Sequence, residues 1–493
     1  MVVGRWLRDR AVATPERVAI RFGDTTTTYA ELHTAARALA AGLVERGIRH
    51  GDRVAVLTTN RPEHVEVLFA CATAGLVLVP LNPRLTAPEL AWQLDDSEPA
   101  LLLTGPGQAD LGAAAVAAAG RRVATHPLTD LAALHGDGPI GSAATDHDPL
   151  LLVYTSGTTG RPKGAVLTHA NCFWTNLSLD RVVDVTTTDT VLQVLPQFHV
   201  GGWNVQPLLA WWKGATVVLE PDFDPARALT QIAAHRVTTM MGVPATYLFM
   251  AEEATFATTD LSSLRQAVVG GAPIAEKLLR TYHERGVALL QGYGLTEAAP
   301  NVLCLSAEHV ADRLGFAGRP YPHVEVALRA ADGTPVEGEG RGELCVRGPA
   351  TFAGYWRNPE ATAAAYDDGW LLTGDVAERD AEGFYRIVDR TTDLYVSGGE
   401  NVYPAEVEAA LAEHPDVVEV AVVGVPDDRW GEVGRAHVVR RAGATASAEE
   451  LRASCRARLA GYKVPRDVVF VDELPRSAVG KVQKTALRRG DAS

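Results

Sequence analysis

The chain reads as an α/β protein with a large N-terminal domain of layered α/β subdomains and a small, mobile α+β C-terminal cap domain. Three observations predict this. Its 493 residues exceed what one simple core holds and suggest roughly three domains or subdomains. Short β-type runs alternate with helical periodicity, the pattern of largely parallel sheets covered by helices. Near residue 390 that texture gives way to about one hundred residues with a small pattern of their own.

Taken in order, "TYAELHTAARALAAGLVERG" places Leu32, Ala36, Leu39 and Leu43 on one helical face, with Thr28 and Glu31 spaced as a capping box and Gly47 as a stop. The runs "RVAVLT", "ALLLT", "ATVVLE", "QAVVGG" and "VALLQG" read as strands, and the Ala-rich piece at 111–119 as a surface helix. Past 390 come a helix over 404–413, strands "VVEVAVVGV" and "AHVVRR", a helix over 447–460 and a polar tail. The expected division is therefore 1–390 and 391–493. A formal net charge of −14 argues against nucleic-acid or anionic-membrane partners, which call for a surplus of Lys and Arg. Five scattered Cys without a C-x-x-C pair predict reduced thiols, no zinc site and a cytoplasmic setting. The N-terminus lacks the apolar core of a signal peptide. The most apolar run, 67–81, is broken by Gly75 and Pro80 and is too short to span a bilayer.

Several loops carry chemistry. "YTSGTTGRPKG" offers Thr155, Ser156, Gly157, Thr158, Thr159, Gly160 and Lys163: backbone that can approach an anion closely, hydroxyls, and a cation. It is not a P-loop, because Lys163 is preceded by Pro162 and followed by Gly164. "QGYGLTE" contributes Gln291, Gly292, Tyr293, Gly294, Thr296 and Glu297; the carboxylate either holds Mg²⁺ or sits in the first turn of a helix. In "GWLLTGD", Asp375 ends a Gly-containing turn and suits two ribose hydroxyls, or simply forms the turn. Arg390 is a candidate for ribose or phosphate, and Lys481 lies in an exposed tail where a Lys is ordinarily a solvated charge.

Together and in this order, "YTSGTTGRPKG", "GYGLTE", "GWLLTGD", "DRTTDLYVSGGENVYPAEVE" and "PRSAVGK" resemble the signatures of the adenylate-forming superfamily: acyl-CoA synthetases, nonribosomal-peptide adenylation domains and beetle luciferases. The resemblance covers essentially the whole chain and favours the acyl-CoA synthetase branch. It implies that residues 155–160 and Lys163 wrap the β- and γ-phosphates of ATP, with Gly271, Ala272, Pro273, Asp375, Ile387 and Arg390 completing the nucleotide site. It further implies Mg²⁺ at Glu297, and a reaction in which a carboxylate attacks the α-phosphate to give acyl-AMP and pyrophosphate. Lys481, His199, Thr296 and Glu297 would be its catalytic residues. The cap would then rotate near Thr392, where the family usually carries Lys or Asp, and present Ser397, Gly398, Gly399 and Glu400 to CoA.

For the acid, His199 stands where amino-acid-activating relatives carry Asp, so no anion waits for an amine. No Arg occurs in 242–253 to take a second carboxylate. Val200, Gly201, Trp203, Val243, Tyr247 and Gly270 are expected to line an apolar pocket for a medium- or long-chain fatty acid or another bulky hydrophobic monocarboxylate. Two alternatives stand beside the CoA ligase: a ligase loading the phosphopantetheine of a carrier protein, and a non-catalytic nucleotide-binding regulator. The expected assembly is a monomer or homodimer.

Overall fold

The computed structural model describes the chain apart from residues 142–143, 156–160, 273, 275, 331, 391–393, 442, 476–481 and 489–493; at 389–390, 405 and 485 it describes the backbone. Two largely parallel sheets form the body. The seven-stranded one runs Gly354–Tyr355, Lys163–Thr168, Pro149–Thr155, Val77–Leu81, Arg53–Leu57, Leu101–Thr104, Ala124–Pro127, its last five strands parallel. The nine-stranded one has a parallel centre of Ala288–Gly294, Gln266–Val269, Thr239–Gly242, Thr190–Gln193, Thr216–Leu219 and Val18–Phe22, with antiparallel strands at both edges.

Helix Pro62–Ala74 is buried nearly all round, from Val65 to Ala72, as a helix enclosed between layers must be. One continuous apolar core joins it to strands of both sheets. Helix Tyr29–Glu45 buries Leu32, Ala36, Leu39 and Leu43, and Thr28 and Glu31 form the expected reciprocal cap. The Ala-rich helix is Ala109–Ala118, with only Gly112 and Ala115 buried. All five cysteines are buried and free. Among the described residues no helix is long and apolar enough to cross a membrane.

Residues 325–390 depart from the expectation of parallel sheets. Glu325–Arg329, Gly340–Arg347, Trp370–Arg379 and Tyr385–Arg390 build a third sheet, antiparallel throughout. The links after Arg329 and Arg379 are short and favour this pairing, since parallel neighbours need a crossover of a dozen or more residues. After 391–393 a separate five-stranded sheet, Tyr395–Phe470, carries helices Pro404–Ala412 and Ala448–Arg456 on its own core. No described strand pairs across 391–393. The second of these helices stops at Arg456, short of the expected 460, and the chain turns through Gly461–Lys463 toward the large domain.

Candidate active site

The parallel strands of the nine-stranded sheet end together. Met241 is level with Gln193, Gly242 with Val269, and Val269 with Gln291. The chain leaves these carboxyl ends to line one cleft of about 2390 Å³, the usual place for a ligand in such sheets. Close approach there demands glycine: a Cβ on Gly294 would lie 1.9 Å from the Pro300 carbonyl oxygen, and one on Gly270 2.9 Å from that of Gly292. Gly271, Ala272, Gln291, Gly292, Tyr293, Gly294, Thr296, Asp375 and Ile387 all line this space.

On one wall, Thr155 and Lys163 face each other across an antiparallel pair, closing the ends of the Gly/Thr loop. The rest of that loop, Ser156, Gly157, Thr158, Thr159 and Gly160, lies outside the described residues, as do Pro273, Thr392, Lys481 and the Arg390 side chain. Glu297 stands beside this pair. Its Oε1 accepts from the Tyr355 hydroxyl at 2.8 Å, and Lys163 Nζ lies 5.1 Å from the Tyr355 ring centre. Burial pushes the Glu297 carboxyl above its ordinary pKa, and the Tyr355 hydroxyl, Lys163 and Thr155 only partly oppose this. No group of three or more His, Cys, Asp or Glu that could hold a metal occurs among the described residues. A single carboxylate beside the Thr155 and Lys163 ends of the Gly/Thr segment fits Mg²⁺, which takes one or two protein carboxylates and completes its shell with phosphate oxygens and water.

Across the cleft, Tyr293 donates its hydroxyl to Asp375 Oδ2 at 2.6 Å. Asp375 is not at the end of a turn. It lies within strand Trp370–Arg379, where Gly374 has φ +71° and the register against Gly340–Arg347 slips. Such a bulge re-aims a side chain without ending the strand. Ile387 and Arg390 occupy the neighbouring strand, Arg390 level with Asp375.

The cap closes the third side. Gly398 and Gly399, at φ +59° and +87°, form the two-residue turn between Tyr395–Ser397 and Glu400–Val402, the positive pair that such a hairpin requires. A Cβ on Gly399 would come within 3.1 Å of Val243, so the hairpin tip sits in the large domain's cleft. Glu400, 6% exposed, meets His199 Nε2 through Oε2 at 2.9 Å and Arg84 through Oε1 at 2.8 Å. Burial alone would raise its pKa, but His199 and Arg84 outweigh that and hold the carboxyl below the ordinary range. Behind it, Lys463 Nζ lies 2.8 Å from Glu89 of the large domain and 2.8 Å from Glu406 of the cap, all three at most 8% exposed.

Val200, Gly201, Val243 and Gly270 line the cleft as expected. Trp203 and Tyr247 do not. Both have no exposed surface: Tyr247 donates its hydroxyl to the Val268 carbonyl at 2.8 Å, and Trp203 packs edge-on against His64 at 5.0 Å. Tyr355, Arg84 and Lys463 are participants that the motifs did not mark. Only Arg84, beside a turn directly after the buried strand Val77–Leu81, carries any local signal.

A cleft bordered by Thr155, Lys163, Glu297 and Asp375, with a glycine hairpin entering from a second domain, suits a nucleotide-dependent acyl-activating enzyme. The AMP-binding enzyme family matches residues 7–356, and the AMP-binding enzyme C-terminal domain matches 406–481. Feruloyl-CoA synthase of Amycolatopsis sp is 45% identical over 99% of this chain and 98% of its own. Indoleacetate–CoA ligase of Aromatoleum aromaticum is 39% identical over 99% and 98%. Among solved structures, a double mutant of Bacillus subtilis o-succinylbenzoate CoA synthetase with a product analogue superposes at TM-score 0.90, 34% identical, covering 98% of each chain. The same enzyme with its acyl-adenylate intermediate gives 0.74 at 36% identity, covering 98% and 97%. The chain belongs to the AMP-binding enzyme family of the adenylate-forming superfamily, and it is an acyl-CoA synthetase.

Proposed function

We propose that this ATP-dependent acyl-CoA ligase activates a hydrophobic aromatic monocarboxylic acid. In the first step a carboxylate oxygen bonds to the α-phosphorus of ATP, and the bond to the bridging oxygen breaks, releasing pyrophosphate. In the second, the CoA sulfur bonds to the acyl carbon, losing its proton, and AMP departs. Both reactants of the first step are anions, so donors and cations must offset charge as it gathers at phosphorus. Lys163, the Thr155 hydroxyl, the neighbouring loop and, by resemblance, Lys481 supply them. Mg²⁺ held at Glu297 would offset further phosphate charge. Asp375, steadied by Tyr293, suits the ribose hydroxyls.

His199 serves as a gate. While Glu400 engages its Nε2, that atom cannot also touch a substrate carboxylate, so withdrawal of the cap hairpin frees it for the first step. The higher superposition with the product-analogue complex than with the acyl-adenylate complex supports reading the hairpin-in arrangement as the thiol-transfer form.

One observation carries the choice of acid. Among the described residues, those lining the cleft in 194–205, 241–249 and 268–274 include no Arg, Lys, Asp or Glu. An ammonium or a second carboxylate would be desolvated there without a counter-charge, at a cost of several kcal/mol. The relatives named for ferulate and indoleacetate act on aromatic monocarboxylates, and this favours a ring over a plain alkyl chain. Their CoA acceptor favours free CoA over a carrier protein. The domain division at 391–393 and the site roles above belong to the same proposal. Pyrophosphate release over a panel of acids tests it: arylacrylic and arylacetic acids should exceed amino acids and dicarboxylates. A clear preference for octanoate or palmitate overturns the aromatic reading.

A further inference from the structure

We propose that Asn301 reads the far end of the acid, accepting a hydrogen bond from a hydroxyl on its ring. The inference deepens the aromatic-acid reading and rests on it. Asn301 opens strand Asn301–Cys304, level with Gly294, and is 6% exposed. Its Nδ2 donates to the Thr175 hydroxyl at 3.0 Å and to the Asn204 carbonyl at 3.2 Å. A carbonyl only accepts, so the amide can be placed in one orientation: nitrogen toward the core, oxygen away from it.

Oδ1 makes no hydrogen bond among the described residues, yet it is not one of the sealed polar atoms lacking a partner. It therefore keeps accessible surface, and the space of any volume that Asn301 lines is the active-site cleft. A lone amide oxygen then faces the cleft, whose lining in 194–205, 241–249 and 268–274 carries no Arg, Lys, Asp or Glu among the described residues.

Its depth suits a ring substituent. The chain from His199 into helix Gly201–Asn204 is helically bonded, Gly202 to His199 and Asn204 to Val200. Five residues at 1.5 Å each advance about 8 Å. The His199 side chain is 40% exposed and Asn204 has no exposed surface, so that advance runs inward from the gate. Asn301, bonded to the Asn204 carbonyl, sits at its inner end, a span comparable with that from the carboxyl carbon to the para carbon of a phenylacrylic acid. A hydroxyl there satisfies Oδ1. A bare ring or a methylene leaves Oδ1 without a donor, so discrimination should be about tenfold or more.

The test compares kcat/KM for 4-hydroxycinnamic and cinnamic acid in the wild type, Asn301→Ala, Asn301→Ser and Thr175→Val. The wild type should favour the hydroxylated acid by about tenfold or more. Asn301→Ala should lose about that factor on the hydroxylated acid relative to cinnamic acid, bringing the ratio near one, with an unfolding temperature close to the wild type showing an intact fold. Thr175→Val disturbs the same network but leaves Oδ1 in place, and should keep the preference. Asn301→Ser decides the matter if the Ala variant fails to fold. No preference in the wild type, or equal loss on both acids in the variants, overturns the assignment while leaving the aromatic reading intact. A wild type that takes neither acid but releases pyrophosphate with octanoate overturns that reading and this inference together.

Discussion

Glu297 is part-buried and Glu400 buried, and their surroundings push the two carboxyls in opposite directions. For Glu297, burial prevails over the Tyr355 hydroxyl and Lys163, so its folded-state pKa is raised. Above that value the ionised group penalises the fold; below the unfolded value the penalty is gone. Glu297→Gln keeps an acceptor for Tyr355 and should unfold no more easily than the wild type near neutral pH, its advantage vanishing below about pH 4.3. The same change should lower adenylation by about 100-fold. Thermal unfolding across pH, set beside pyrophosphate release, checks both. For Glu400 the neighbouring His199 and Arg84 outweigh burial and the folded-state pKa is depressed. Its hold on the hairpin is complete above about pH 4.3 and fades as pH falls through the lower folded value. Glu400→Gln should slow acyl transfer from supplied acyl-AMP to CoA by about tenfold and spare adenylation.

Elements whose chemistry is local were legible. The Thr28 and Glu31 cap and the stripe from Leu32 to Leu43 need only neighbouring residues, and they stand in the structure as read. What topology assembles was not legible. Arg84 meets Glu400 across 316 positions, and Lys463 meets Glu89 across 374. Neither residue type is unusual where it stands. Trp203 and Tyr247 misled because an aromatic near a pocket motif fits a pocket or a core equally well, and which one is decided by packing. Lys463 yields an element-scale prediction. Burial would depress its ammonium, yet Glu406 and Glu89 hold its pKa above the ordinary value. Lys463→Met strands two buried carboxylates and should weaken cap seating by about 3–5 kcal/mol, seen as a lower unfolding temperature and faster proteolysis near 391–393. Adding Glu89→Gln and Glu406→Gln should restore part of the loss.

At the scale of the whole molecule, the two-part architecture was evident from the change of texture near 390, while the antiparallel third sheet was not. Helix Pro359–Ala364 lies between two of its strands, so the alternation there looks like that of a parallel sheet, and a pattern of short β-runs does not announce their direction. Two parts permit two steps to be separated. Lys481→Ala should abolish pyrophosphate release yet leave CoA transfer from supplied acyl-AMP near the wild-type rate, measured as half-reactions. Equal loss in both would remove Lys481 from the first step.

The buried Lys463 cluster also bears on how easily the cap departs. Glu89 divides its oxygens: Oε2 accepts from the Thr86 backbone and hydroxyl, capping helix Ala87–Ser97, while Oε1 accepts from Lys463. Glu406 belongs to the same domain as Lys463 and would travel with it. In the withdrawal proposed for the cap hairpin, the cap would carry its own counter-ion, and the surface it vacated would retain a carboxylate already employed in capping a helix. Neither side would be left with a naked charge, so opening and resealing the seam would cost far less than severing a simple buried pair.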